Sequence, residues 1–264
     1  MEKFNFKKKF GQNFLKDVRV VEKIVSVADI TKEDLVIEVG PGKGILTKEL
    51  SRRAKKVLCY EIDLELKEYL SNLQKENNNI DIIFEDFIKR DIELDITKYD
   101  YKNIYFVSNV PYYITTPILM KIMNSHINFN KIVMMVQKEV GDRFSAKPKT
   151  KEYGSLTVYL NYFYQVKKEF LVNRKEFIPV PNVDSVVVSF TKKEELLKVN
   201  DLEFFFQLVR DSFQFKRKNI KNNLSKYDLQ QIEAILEKNN YHLTSRAEEL
   251  PVEVFVEISN ALTK

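Results

Sequence analysis

Leu35-Val36-Ile37-Glu38-Val39-Gly40-Pro41-Gly42-Lys43-Gly44-Ile45 is the stretch that decides the fold. A mostly apolar, β-branched pentad reads as a buried strand, glycines at alternate positions make a tight turn, and 45–53 carries a helical pattern. A strand that turns through glycines into a helix brings backbone N–H groups and a helix N-terminus to one end of a sheet, where a ligand can approach the main chain. Two phosphate-binding versions of this turn are excluded. A dinucleotide fingerprint needs glycine three positions after its second, and that position holds Ile45. A Walker loop needs Ser or Thr directly after its Lys, and Lys43 is followed by Gly44. Glu38, just ahead of the glycines, suits a cationic or nucleoside ligand better than a pyrophosphate. The competing reading is a tight turn with no ligand.

The same alternation continues along the chain. Strands are expected at 57–60, 80–84, 104–107 and 132–136, with helices at 64–74 and 116–123 and an earlier one carrying Val21, Ile24, Val25 and Ala28 on one face. Helix between strands, repeated, predicts a mostly parallel sheet covered on both faces. Residues 159–166 and 183–190 read as two long strands joined through Pro179 and Pro181, an antiparallel pair at the sheet edge. After Thr191 the strand signals stop. Leu202, Phe205, Phe206, Val209 and Phe213 fall on one helical face, and similar faces follow at Leu229–Leu236 and Val252–Ile258. The expected domains are therefore 1–195, opening with a basic arm at 1–15, and a small all-helical domain at 196–264.

The bulk numbers narrow the function classes. The 264 residues are 44% hydrophobic with a net charge of +5, ordinary for a folded and modestly basic protein. Cys59 is the only cysteine, so no internal disulfide forms, and two separated histidines, His126 and His242, give a metal site no support. No apolar run is long enough to cross a membrane, and the charged N-terminus has no apolar segment behind it. A cytoplasmic, metal-free monomer is expected.

Polar residues recur where successive strands end. Glu61 follows 57–60 and can accept hydrogen bonds from both hydroxyls of a ribose; Asp86 follows 80–84 and can hold an adenine amino group; Asp63, one pleat beyond Glu61, reads as structural. In open parallel sheets ligands sit beyond the carboxyl ends of the strands. After 104–107 comes Asn109-Val110-Pro111-Tyr112. Its side-chain amide and the backbone carbonyl at Val110 or Pro111 offer acceptors, and the Tyr112 ring offers a face on which a base can stack.

These features resemble the class I S-adenosylmethionine-dependent methyltransferases, and Asn109 to Tyr112 resembles the motif of their amino-methylating branch. Further segments are similar to the rRNA adenine dimethyltransferases, in order: Phe10-Gly11-Gln12-Asn13-Phe14-Leu15, Asn109 to Thr115, Gln137 to Val140, Tyr153 to Leu156, Phe177 to Ser185, Phe213 to Lys218 with Asn222 to Leu224, and Ser245 to Leu250. Each is weak alone; the ordered set spans nearly the whole chain and is most similar to the 16S rRNA type. Two positions depart. Lys216 stands where the family often has Arg, which loses the bidentate fork, and Tyr113 replaces a common Asn at the rim of the base pocket.

The resemblance implies a Rossmann-like, mostly parallel seven-stranded sheet, S-adenosylmethionine as donor, and dimethylation of N6 on two adjacent adenines near the 3′ end of 16S rRNA in the small ribosomal subunit. It implies a donor site formed by Gln12, Asn13, Leu15, Gly40, Gly42, Gly44, Glu61, Ile62, Asp86, Phe87 and Asn109, with Asn109, Pro111, Tyr112 and Phe177 handling the base. Phe177 has an alternative reading as a core aromatic. Three basic clusters suit a phosphate backbone: Lys7, Lys8 and Lys9; Arg143, Lys147 and Lys149; Lys216, Arg217, Lys218 and Lys221. Two alternatives stay open on sequence alone: a 23S rRNA methyltransferase of the resistance type, and a non-catalytic RNA-binding assembly factor on the same fold.

Overall fold

The computed structural model describes residues 13–263. Gln12 and the Lys7–Lys9 cluster lie outside them. The chain forms two compact units, Met1–Gly141 with Lys167–Thr191, and Asp142–Val166 with Lys192–Lys264. In order, the elements are β1 (Phe14–Leu15), α1 (Val18–Ala28), β2 (Leu35–Val39), α2 (Ile45–Arg53), β3 (Lys56–Tyr60), α3 (Lys67–Glu76), β4 (Ile80–Ile83), α4 (Ile92–Ile96), β5 (Ile104–Asn109), α5 (Thr115–Asn124), β6 (Lys131–Gln137), α6 (Lys138–Phe144), α7 (Ser155–Phe163), β7 (Tyr164–Val172), β8 (Phe177–Ile178), β9 (Ser185–Lys192), α8 (Leu202–Ser212), α9 (Ile220–Asn223), α10 (Leu229–Lys238) and α11 (Val252–Leu262).

Seven strands make the main sheet in the order β4-β3-β2-β5-β6-β9-β7. The pairs from β4 through β6 are parallel, and β9 runs antiparallel to β6. All five residues of β2 are buried, as expected of a parallel strand covered on both faces, which is why its sequence runs apolar instead of alternating. Val21, Ile24, Val25 and Ala28 of α1 and Leu46 and Leu50 of α2 pack with Val36, Val57 and Val107 of the sheet. The sheet is the seven-stranded, mostly parallel one anticipated.

The strand order reverses between β2 and β5, and there the ladder ends early. β2 pairs β3 to its last residue, Val39 opposite Tyr60, but pairs β5 only as far as Ile37 opposite Phe106. Past that point the strands part and open a crevice. A buried bond spans the gap: the Ser108 hydroxyl donates to the Val39 carbonyl at 2.6 Å. It fixes how far the turns after β2 and β5 stand apart.

Two expectations change. Residues 159–166, read as a strand, lie mostly in α7, and β7 starts at Tyr164. The run of Tyr, Leu, Phe and Val favours a strand by propensity, but Val158 and Tyr162, one helical turn apart, are buried in the second unit's core with Phe205, Leu208 and Phe255. The Thr157 hydroxyl also holds the start of α7, accepting from the Gly154 amide and donating to the Arg143 carbonyl. For the same reason 142–166 clusters with the C-terminal helices, where the reading from sequence placed it with the sheet. The C-terminal helices themselves stand where their periodicity put them, α8, α10 and α11 sharing that core.

Ser108→Ala removes a hydroxyl that spans the crevice and strips a buried carbonyl of its partner. It is expected to lower stability by about 1–2 kcal/mol, measured by urea unfolding.

Candidate active site

A cavity of about 710 Å³ opens at the carboxyl ends of β2, β3, β4 and β5. Of the residues anticipated from sequence, Asn13, Leu15, Gly40, Gly42, Glu61, Ile62, Asp86, Phe87, Asn109, Pro111 and Tyr112 line it. They come from separate strand ends and from the segment around β1, so only the sheet's parallel order assembles them.

The glycine turn is held in a conformation that side chains resist. Gly42 has φ of 59°, and a Cβ there would sit 2.8 Å from the Phe14 ring. Its amide donates to Glu61 Oε2 at 3.3 Å, while the Asp63 amide donates to Oε1 at 2.9 Å. The carboxylate is thereby oriented at the end of β3 with lone pairs left for a ligand. Asp63 itself accepts from the Glu65 amide and caps the next turn, in keeping with a structural role. Asp86 caps the turn after β4 through the Ile88 amide at 3.0 Å. Phe87 is buried edge-on against Tyr60 at 5.1 Å. Gly44 does not line the cavity; it starts α2.

The turn after β5 packs directly on the glycine loop, since a Cβ on Gly40 would meet the Pro111 ring at 3.3 Å. The glycine turn and the Asn109–Tyr112 corner therefore share one wall. The Tyr112 hydroxyl is hydrogen-bonded to the Ser185 hydroxyl at 2.6 Å, with Ser185 fully buried at the start of β9, so the ring is tethered at its far end. The Pro111 carbonyl accepts from the Ile114 amide at 3.1 Å. Val110 bears no such bond among the described residues and lines the cavity, which makes its carbonyl the better placed of the two acceptors considered. The Asn109 side chain makes no hydrogen bond among the described residues and belongs to the cavity wall.

Phe177, anticipated as the second stacking face with a core aromatic as its alternative reading, is placed in the core. It is fully buried and packs in the sheet core with Leu15, Val172 and Val187. In the antiparallel pair of β1 and β8, Leu15 lies directly opposite it. The exposed aromatic on the cavity wall is instead Tyr113, 53% exposed on the turn after Pro111. A residue's place in a motif does not reveal which of two neighbouring rings faces the opening.

Electrostatics set apart one acid left out of the anticipated site residues. Glu38 lines the cavity yet is 1% exposed, and burial pushes its carboxyl up to about 8. The Thr47 hydroxyl and the Cys59 thiol, the latter 3.6 Å away, pull it part of the way back, and the charge of Glu61 adds to the upward shift. Burial also raises Glu61, partly offset by the amides of Asp63 and Gly42. Four acids, Glu38, Glu61, Glu85 and Asp86, thus line the cavity, and among the described residues neither buried one, Glu38 or Glu61, has a cation paired to it, an arrangement that favours a positively charged ligand. The signal for Glu38 was its place two residues before the first glycine. Among the described residues no group of three or more His, Cys, Asp or Glu is arranged to hold a metal ion, and no helix is long and apolar enough to cross a membrane.

In the second unit, Arg143, Lys147, Lys149, Lys216, Arg217, Lys218 and Lys221 are all exposed. Two of these clusters are brought together, because Lys216 Nζ donates to the Lys151 carbonyl at 2.8 Å.

Comparison with known proteins fits this geometry. The family model for ribosomal RNA adenine dimethylase matches residues 3–264. The ribosomal RNA small subunit methyltransferase A of Geobacillus sp. (strain WCH70) is 44% identical, the match covering 98% of this chain and 92% of that protein. Its counterpart in Lactococcus lactis subsp. lactis (strain IL1403) is 42% identical, covering 98% and 90%. Among solved structures, the 23S rRNA methyltransferase ErmE matches with a TM-score of 0.77 at 27% identity, over 96% of this chain and 100% of that one. A dimethyladenosine transferase from Plasmodium falciparum matches with a TM-score of 0.76 at 26% identity, over 93% and 95%. With a glycine turn, strand-end acids and an Asn-Val-Pro-Tyr corner on a class I methyltransferase sheet, and a family match across nearly every residue, the chain belongs to the ribosomal RNA adenine dimethylase family.

Proposed function

We propose that this protein transfers methyl groups from S-adenosylmethionine to the N6 amino group of two adjacent adenines near the 3′ end of 16S rRNA, acting as a cytoplasmic monomer during assembly of the small ribosomal subunit. The observation that carries the reading is the shared wall formed by Pro111 on Gly40, which sets an amide-and-carbonyl acceptor corner against a cavity lined by acids. The 44% and 42% identity to small-subunit enzymes, against 27% to a 23S enzyme, supports the small-subunit substrate over the resistance type. The intact cavity and Asn109 support catalysis over a purely assembling role.

The residues present fit the donor. Glu61 would hold the ribose hydroxyls, Asp86 the adenine amino group, and Glu38 the positively charged end. When bound, S-adenosylmethionine supplies a methyl group on a sulfonium, already activated for displacement. The chain's task is placement. An adenine N6 lone pair is delocalised into the ring, and acceptors beside both N–H bonds draw the nitrogen toward a tetrahedral, nucleophilic geometry. The Asn109 carbonyl oxygen and the Val110 carbonyl serve as those acceptors, while Tyr112, held by Ser185, stacks on the extruded base. The amine loses its proton readily once it carries the methyl group, so no strong base is needed. Alignment and exclusion of water supply most of the acceleration. Exposed cations of the second unit hold the RNA backbone.

Tritiated methyl transfer to small subunits lacking this modification tests the whole reading. Label is expected in dimethyladenosine of 16S RNA; label in 23S RNA, or none despite donor binding, overturns it. In the same assay Asn109→Ala is expected to cut transfer about 100-fold or more with donor affinity nearly unchanged.

Glu38 generates a pH prediction. With its carboxyl raised to about 8 it is protonated in the free site at neutral pH; it must ionise to face a cation, so donor binding releases a proton and tightens as pH rises toward about 8. Titration calorimetry in buffers of different ionisation enthalpy is expected to show this release, and Glu38→Gln to abolish it.

A further inference from the structure

The turn between α8 and α9 presents two phenylalanines in opposite directions. Phe213 faces inward, its ring 6.1 Å from Tyr153 and 5.9 Å from Phe255. Phe215, two residues on, is 56% exposed and has no place in the second unit's core. Single exposed aromatics are common on surfaces; the setting distinguishes this one.

The turn is held by a nearly buried side chain. Asn223, 7% exposed, accepts from the Phe215 amide at 3.1 Å and donates to the carbonyls of Ser212 at 2.7 Å and Phe215 at 3.3 Å. The Lys218 amide closes the turn on the Phe215 carbonyl at 2.8 Å. The backbone that carries Phe215 is therefore fixed before any ligand arrives. Lys216, Arg217 and Lys218 follow it directly, no acid occurs from 213 to 223, and the Lys216 bond to the Lys151 carbonyl joins the turn to a second exposed basic loop.

We propose that Phe215 is a stacking platform for an unpaired base, forming with the surrounding cations a single-stranded RNA subsite on the second unit, separate from the cavity that takes the target adenine. Cations that neutralise phosphates supply affinity without regard to sequence, and a rigid exposed ring among them supplies the flat face that unpaired bases seek. A duplex offers no such base, so the subsite selects single-stranded segments. This inference rests on the reading of the protein as RNA-binding and adds the residue, the contact and the strandedness.

The chain contains no tryptophan, so Phe215→Trp installs a unique reporter in the full-length protein. Titration with single-stranded oligoadenylate is expected to quench its emission, and a duplex of equal length to leave it unchanged. Phe215→Ala is expected to weaken oligoadenylate binding about tenfold with the salt dependence intact, whereas Lys216→Ala lowers the slope. Binding without quenching, or an unchanged affinity in Phe215→Ala, overturns the stacking role while the RNA-binding reading survives. Loss of affinity for assembled small subunits but not for bare RNA overturns it in favour of a protein contact. Failure of the unaltered chain to bind any RNA overturns both readings.

Discussion

The parting of β2 from β5 beyond Ile37 and Phe106 is the constraint on which the site depends. Parallel strands that leave the centre of a sheet in opposite directions cannot keep their ladder to the end, because their following helices cover opposite faces. The unpaired ends become a crevice with backbone groups turned toward it. The Ser108 bond to Val39 keeps that opening from widening, and the packing of Pro111 on Gly40 closes its floor. Each candidate residue inherits its position from this divergence, including Glu61, which stands one strand away and reaches back to the Gly42 amide.

Burial gives the crevice its chemical bias. Two buried acids, Glu38 at 1% and Glu61 at 5% exposure, stand in a cavity with no cation paired to them among the described residues. Water cannot screen them, so each carries a cost of ionisation that a positive ligand relieves. Their surroundings separate them: Glu61 accepts two backbone amides, whereas Glu38 accepts from the Cys59 thiol. A pyrophosphate would worsen both, which agrees with the missing third glycine of a dinucleotide loop.

The segment around β1 links the two halves of the site. Asn13 and Leu15 line the cavity, the Phe14 ring lies against Gly42, and Leu15 pairs with Phe177 across a two-stranded ladder. A short strand of this kind is marginal by itself; here it gains from covering an otherwise open apolar patch around Phe177. The second unit obeys simpler rules, with amphipathic helices burying one face and leaving the basic turns to solvent.

Much of this was legible in the residues. Local rules sufficed for the alternating elements, the glycine turn, the acids at strand ends and the C-terminal helical faces, because strand and helix periods and positive-φ turns are properties of a few neighbouring positions. They failed where long-range burial outweighed local preference. Residues 155–163 carry strand-like composition, yet form a helix because Val158 and Tyr162 reach a core made from residues that follow far along the chain. Nor do local rules show that Leu15 and the sheet enclose Phe177. The divergence of β2 and β5, the tether of Tyr112 to Ser185 and the outward turn of Phe215 likewise depend on contacts between distant segments. By itself the sequence determined which elements form and which chemical groups meet at the strand ends; the tertiary structure alone decided which of those groups face the cavity, because facing is set by what packs behind each residue.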